Sequence, residues 1–312
     1  MSPAAALLAG YGADLVLGDP RRWHPVAGLG RLAVFLERRS WRDRRAAGVL
    51  HTGALVLGAW ASVRALDRAA ARLRGGRPLL LALVTWAALG GRSLVACGRR
   101  LAALVEAGDI AGARALVPSL VGRDPDSLDG PELCRAAVES IAENTADAVL
   151  GPLAWCALAG PAGAAAYRAA NTLDAMIGHR SPRYARFGTA AARLDDVLNW
   201  PVARAGALLA VALAPAAGGR SREAWRVLRR DGARHPSPNS GRMEAAFAGA
   251  LGVRLGGRNV YAGRVEDRPR LGDGPPPGPA DVRRAAVLSL AVGAAGALLA
   301  AGGLASKERR RR

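Results

Sequence analysis

Six apolar runs alternate with polar, arginine-rich connectors along the chain, at residues 3–17, 46–63, 78–96, 148–166, 201–217 and 285–305. Most approach the roughly 20 residues that a helix needs to cross bilayer hydrocarbon. The pattern predicts an all-α, polytopic helical membrane protein with four to six membrane segments and helical cytoplasmic loops, forming one domain over 1–312. The second and third runs read as a helical hairpin, because the link between them is short. Pro152 and Gly160-Pro161 break the run at 148–166. A full crossing there would put the polar segments on its two sides in opposite compartments. The expectation is therefore a re-entrant or broken hairpin turning at Gly160-Pro161, since irregular backbone at membrane depth is tolerable when protein surrounds it. Residues 97–138 read as soluble helices, with a helix start at Asp129-Gly130-Pro131. Residues 218–283 read as polar, ending in a flexible Pro/Gly linker.

Composition narrows the picture. Hydrophobic residues make up 51% but aromatics only 4%, and the mean hydropathy is +0.10. Ala, Leu, Val and Gly carry the apolar content, which suits membrane helices packed through small residues. It gives little support to a sheet. The formal net charge is +19, and Lys307 is the only lysine. The arginines cluster between apolar runs, as they do where loops flank membrane helices and touch anionic lipid. With no zinc-finger, RRM or basic-zipper pattern, nucleic acid is not an expected partner. A single lysine in the tail excludes a P-loop and argues against Schiff-base chemistry. Cys97, Cys134 and Cys156 are dispersed, so neither a disulfide framework nor structural zinc is expected. The first run lacks the basic n-region of a signal peptide.

Polar residues at membrane depth are expensive, which makes their positions informative. In "VESIAENTADAVLGP", Glu139, Glu143 and Asp147 fall at i, i+4 and i+8, with Asn144 beside them. Stacked carboxylates repel unless something positive sits among them, and a hard cation such as Mg2+ shared with nucleotide phosphates is the natural partner. A solvated acidic face is the plainer alternative, weakened because the stripe runs into an apolar segment. In "YRAANTLDAMIGHRSPRYARFG", Arg168, Asn171 and Asp174 share a helical face, and Arg180, Arg183 and Arg186 follow in a loop suited to phosphate. Asp195, Asp196 and Asn199 then precede another apolar run. Ordinary Arg–Asp pairing would explain these as well, and is worth little when exposed. Ser237, Asn239 and Ser240 lead into a helix whose start suits an anion, although N-capping alone accounts for such a pattern. Asp19 and His24 lie in "GDPRRWHPV", which also reads as a juxtamembrane turn.

These motifs, with "RLDDVLNWPVAR" and "SPNSGRMEAAFAGALGVRLGG", occur in an order that resembles the adenosylcobinamide-phosphate synthase family of cobalamin biosynthesis. The resemblance spans most of the chain up to "VYAG". It implies attachment of (R)-1-aminopropan-2-ol or its O-phosphate, through an amide bond, to the free propionate of adenosylcobyric acid. ATP and Mg2+ are the implied cofactors, with no tightly bound prosthetic group. Phosphoryl chemistry of this kind leans on metal and Arg stabilisation. Glu143 and Asp147 are then expected to hold the metal, and Glu139 to act as base for the ammonium. Arg180 and Arg183 are expected to grip phosphate. Asn144, Asn171 and Asp174 would orient substrates, beside His24, Asp195, Asp196, Asn199, Ser237, Asn239 and Ser240. The implied partners are the corrinoid, the amine, the lipid bilayer and other cobalamin-assembly enzymes. The implied location is a multi-pass position in the cell membrane with the active site facing the cytoplasm. Two other classes share fragments of the pattern. CDP-alcohol phosphotransferases open with an Asp-Gly-x-x-Ala-Arg motif that is missing here, and secondary transporters usually show an internal repeat that this chain lacks.

Overall fold

The computed structural model describes residues 1–19, 24–179, 181–261 and 264–310, and these are almost entirely helical. Four helical stretches are long and apolar enough to cross a membrane: Arg45–Ala70, Gly76–Glu106, Gly130–Ile177 and Pro279–Arg309. Pro3–Leu17 is a shorter apolar helix. The protein is thus a multi-pass helical membrane protein. Its contacts divide it into two compact units. One comprises 1–90, 147–199 and 296–312, and the other comprises 91–146 and 200–295.

In the first unit, α1 (Pro3–Leu17), α2 (Pro25–Ser40), α3 (Arg45–Ala70) and α4 (Gly76–Ala88) precede the long helical segment α8 (Gly151–Ile177). Ser2 caps α1, its side chain accepting from the Ala5 N–H at 3.2 Å. At 26 residues, α3 is about 39 Å long, enough to span hydrocarbon. Leu7, Tyr11, Leu81, Leu89, Leu153 and Cys156 share one buried cluster. Leu50, Leu57, Leu79, Leu158, Leu298 and Leu299 point outward. In water such a surface would be a liability, whereas against lipid it is matched.

A short π-helical turn at Ala146–Leu150 leads into α8, and α8 is a hairpin. Gly160 adopts φ 72° and ψ −170°, a conformation that needs glycine, and Pro161 starts the second arm. A Cβ at Gly151 would fall inside the Tyr167 ring, and one at Gly163 would sit 2.7 Å from the Trp155 carbonyl oxygen. In a straight helix, residues 151 and 167 would stand about 24 Å apart. The arms at 151–159 and 161–177 therefore run antiparallel, with the break at the expected dipeptide. Residues 147 and 177 leave from the same end of the hairpin, so the flanking polar segments need not face opposite compartments. Of the run expected at 201–217, residues 201–212 form the second half of α9 (Thr189–Ala212), which tolerates Pro201 within it, and Ala214–Ala217 form a short 3-10 turn.

In the second unit, α5 (Gly91–Glu106) and α6 (Ile110–Leu116) pack with α7 (Gly130–Thr145). Helix α7 begins where expected, with a capping box between Asp129 and Glu132. Every residue from Leu133 to Ala142 is buried. Helices α10 (Ser221–Asp231) and α11 (Ser240–Leu251) pack on each other, and α11 is almost wholly buried too. The chain ends in α12 (Pro279–Arg309).

One element was not expected. Strands β1 (Leu255–Tyr261) and β2 (Arg264–Leu271) pair antiparallel, with a register shift between Leu255 and Gly257. Gly256 and Gly257 both have positive φ, which lets the strand bulge. Reading 218–283 only as polar missed this hairpin, because charged residues occupy positions where strand formers usually reveal a strand.

Candidate functional site

Two polar clusters stand out, one in each unit. In the second unit, α7 and α11 bring together motifs that lie 97 residues apart. Ser240 Oγ donates to Glu143 Oε1 at 2.6 Å and lies 3.1 Å from Ser237 Oγ. Ser237 Oγ accepts from the backbone N–H groups of Asn239 and Ser240. This is the local turn expected before a helix, and its terminal hydroxyl is aimed at a carboxylate. Glu143 and Ser237 are half-buried, while Asn239 and Ser240 are buried. Asn144 points along its own helix, donating to the Ser140 carbonyl at 3.0 Å.

Behind Glu143 lies a second carboxyl, Glu244, fully enclosed on α11. Burial, reinforced by the charges of Glu139 and Glu143, pushes its pKa well above the usual carboxylate range. Burial and the nearby Arg268 hold His235 below its ordinary value. His235 Nε2 lies 3.8 Å from Glu244 Oε1, and burial works against the charged form of both partners. His235 Nδ1 accepts from the Ser237 N–H at 3.0 Å, which fixes the turn.

Glu139 does not have the surroundings of a base for an ammonium. It accepts from Arg123, from Arg135 and, at 2.7 Å, from the Gly256 N–H. Arg135 also donates to Asn259 Oδ1 and to the Gly256 and Arg258 carbonyls. The carboxylate is thus enclosed by donors and ties α7 to the bulge in β1. The π-turn that contains Asp147 interrupts α-helical phase, so the i, i+4 spacing of Glu139 and Glu143 does not extend to it. No group of three or more His, Cys, Asp or Glu side chains is arranged to hold a metal among the described residues. A magnesium ion arriving with nucleotide phosphates needs only one or two carboxylates. Glu143 fits that requirement, since one of its oxygens is engaged by a neutral hydroxyl and the side chain is accessible.

In the first unit, a hydrogen-bonded chain runs through α8 and α9. Arg168 Nη1 donates to Asn171 Oδ1 at 3.1 Å, and Asn171 Nδ2 donates to Asp195 Oδ1 at 3.2 Å. Asn199 Nδ2 donates to Asp195 Oδ2 at 3.0 Å, and the Tyr167 hydroxyl lies 2.7 Å from Asn199 Oδ1 and 3.1 Å from the Asp147 carbonyl. Asp195 and Asn199 are buried, while Asp196 and Asp174 are half-buried. The Asp174 carboxylate lies against Gly178, where a Cβ would collide with it. His24 caps α2, accepting from the Val26 N–H at 3.1 Å, with Nε2 3.9 Å from Asp19 Oδ1. Beside this network lies an apolar cavity of about 620 Å3, in which Arg168 is the one charged residue of the lining among the described residues.

Arg180 lies outside the described residues. Arg183 has a partner other than phosphate: Nε and Nη2 both donate to Glu37 Oε1, at 3.1 and 2.8 Å, and the guanidinium stacks 4.7 Å from the Trp41 ring. Sequence reasoning missed Glu244, His235 and Tyr167. An ionisable residue inside "GRMEAAFAGALG" was the available signal for the first of these.

The profile of the family described as "CobD/Cbib protein" matches residues 7–289. "Cobalamin biosynthesis protein CobD" of Mycobacterium tuberculosis (strain ATCC 25618 / H37Rv) is 55% identical over 299 residues, covering 95% of this chain and 94% of the relative. The protein of the same name from Geobacter metallireducens is 43% identical over 282 residues, 86% of each chain. That from Rhodobacter capsulatus is 42% identical over 300 residues, covering 92% and 93%. No solved structure matches significantly. With the profile covering most of the chain and relatives matched nearly end to end, this chain belongs to the CobD/CbiB family of cobalamin biosynthesis proteins.

Proposed function

We propose that the chain joins (R)-1-aminopropan-2-ol, or its O-phosphate, to the free propionate of adenosylcobyric acid in an ATP-dependent amide synthesis. The observation that carries this reading is the half-buried Glu143, held by Ser240 in front of the buried Glu244 and Glu139. A lone accessible carboxylate at that position suits either the ammonium of the amine or the Mg2+ that accompanies a nucleotide. ATP would supply activation of the propionate as an acyl phosphate. The amine nitrogen then attacks the acyl carbon, the C–O bond to phosphate breaks, phosphate leaves, and the nitrogen loses its proton. Glu143 is the group proposed to meet that positive charge, with the Ser237–Ser240 turn fixing its rotamer. Asn171, Asp195 and Asn199 belong to the separate polar network of the first unit. A cytoplasmic mouth follows from the need to admit ATP.

The test is a direct assay with the purified full-length protein in detergent. Adenosylcobyric acid, ATP, Mg2+ and aminopropanol phosphate should yield cobinamide phosphate, with one phosphate released per amide. Corrinoid left unconsumed, or amide formed equally without ATP, would overturn the reading.

A further inference from the structure

A second cleft, of about 910 Å3, opens where the α8 hairpin turns. It lies wholly within the first unit, between the end of α3, the start of α4, residues 157–162 and the end of α12. Its rim carries Arg64, Asp67, Arg77, Lys307 and Glu308, and Trp60, Leu81, Leu158 and Leu304 supply apolar lining. We propose that this cleft binds the headgroup of an anionic phospholipid, with the upper acyl chain against Leu158 and Leu304.

The charge balance supports an anion. Arg64 Nη1 pairs with Asp67 Oδ2 at 2.9 Å, and Arg77 Nε lies 3.9 Å from Asp67 Oδ1. One carboxylate therefore faces two guanidinium groups. Lys307 Nζ donates to the Ala157 carbonyl at 2.9 Å, so the only lysine holds the end of the first hairpin arm while its charge stays at the rim. Three cations meet two carboxylates. Arg68 in the last turn of α3 and Arg72 and Arg74 between α3 and α4 strengthen the field. A phosphodiester gains from that field, whereas the choline of a zwitterionic lipid is repelled by it.

Position supports a lipid rather than a soluble phosphate. The apolar stretch of α3 gives way to charge at Arg64–Asp67, and α4 turns apolar after Arg77-Pro78. Chain ends of this kind sit at headgroup level, where Trp60 and the cations are the usual anchors. A site for free phosphate has no use for exposed leucines, and Leu158 is 64% exposed.

The test is a titration of the delipidated full-length protein, followed by native mass spectrometry. Phosphatidylglycerol, phosphatidylcholine and glycerol 1-phosphate are the three probes. Phosphatidylglycerol should bind in preference to the other two. Arg77→Gln should weaken it about fivefold, the effect expected of one basic residue at a membrane surface. Arg38→Gln, an exposed control on α2, should not weaken it. Leu158→Gln should weaken phosphatidylglycerol and leave glycerol 1-phosphate unchanged, and it serves as the second variant if Arg77→Gln folds poorly. Equal binding of the two lipids, equal effects of Arg77→Gln and Arg38→Gln, or glycerol 1-phosphate binding as tightly as the lipid would each overturn the proposal.

Discussion

Ser240 Oγ reaches Glu143 Oε1 at 2.6 Å from a helix that begins 97 residues later in the chain. That single bond joins the acidic motif of α7 to the Ser-Pro-Asn-Ser turn before α11. A hydroxyl donating to a carboxylate without neutralising it leaves the negative charge in place and fixes its direction. Chemistry with a cationic amine or a metal ion needs both.

Removing that charge should therefore abolish turnover without unfolding the protein. Glu143→Gln is nearly isosteric, and the accessible position spares it a burial penalty. We expect activity to fall by about a hundredfold or more, with membrane insertion and Tm near those of the parent. Ser240→Ala loses one hydrogen bond to a charged group, worth roughly 1.5–3 kcal/mol, so about a tenfold loss or somewhat more is expected. Corrinoid turnover alongside thermal unfolding in detergent checks both. If Glu143→Gln kept near-parent turnover, Glu143 would be structural only.

Glu244 should tolerate Gln far better than Glu143 does. Burial and the charges of Glu139 and Glu143 raise its pKa well above the usual carboxylate range, which favours the neutral form, and an amide of the same shape reproduces that form. The sign of the pH dependence follows. A folded pKa raised above the unfolded value of about 4.3 means that its share of stability is complete below that value. That share is lost as pH rises toward the raised folded value. Parent stability should fall relative to Glu244→Gln as pH increases, a difference that Tm measured against pH would expose. A constant offset between the two proteins across pH would mean that Glu244 is ionised throughout.

Asp231 should behave in the opposite way. Arg230 donates to both of its oxygens, Gly272 N–H adds a bond at 2.9 Å, and the pKa is held down to about 2. This carboxylate ties α10 to the end of β2. Its contribution is present above the unfolded value of about 3.9 and is lost as pH falls toward about 2. At neutral pH the shift corresponds to roughly 2 kcal/mol. Asp231→Asn should lower stability by about that amount near pH 7 and by little near pH 2, as denaturant titration at the two pH values would show.

Gly160 is where the hairpin depends on backbone conformation rather than on packing. Its φ of 72° with ψ near 180° is a region that only glycine enters cheaply, and about 1–3 kcal/mol is the usual cost for other residues. No neighbouring atom would meet an added Cβ, so Gly160→Ala measures conformation alone. Gly151→Ala should be worse, because its Cβ would enter the Tyr167 ring. Thermal unfolding of the two variants should rank them in that order.

The sequence revealed most of what depends on local chemistry. The spans at 46–63, 78–96 and 285–305 were visible as apolar length, the start of α7 as a capping box, and the Gly160-Pro161 break as a dipeptide that cannot continue a helix. What stayed hidden depends on distant partners. Glu139 looked like a catalytic carboxylate until Arg123, Arg135 and Gly256 enclosed it. Asp147 seemed to extend its stripe until the π-turn shifted the phase. Strand β1 owes its bulge to two glycines whose use appears only when Gly256 N–H finds Glu139. Spacing along one helix cannot report a partner more than a hundred residues away.

Arg183 provides the sharpest separation between local and distant reasoning. Its spacing with Arg180 and Arg186 suggested phosphate, but the fork of its guanidinium is directed at Glu37 on α2, with Trp41 and Tyr184 on its faces. Tyr184 also donates to the same Glu37 oxygen at 3.0 Å. The loop after α8 is thereby latched to α2. Arg183→Lys keeps the charge but loses the two parallel donors and the planar stack. We expect it to lower Tm and leave the KM for the phosphorylated amine unchanged. Glu37→Gln should lower Tm similarly, and the double variant should be little worse than either single one, the non-additivity that marks two residues sharing one interaction. Additive losses would separate the two side chains. A raised KM at unchanged Tm in Arg183→Lys would return the arginine to the phosphate role that its spacing suggested, since a ligand contact moves binding and a latch moves stability.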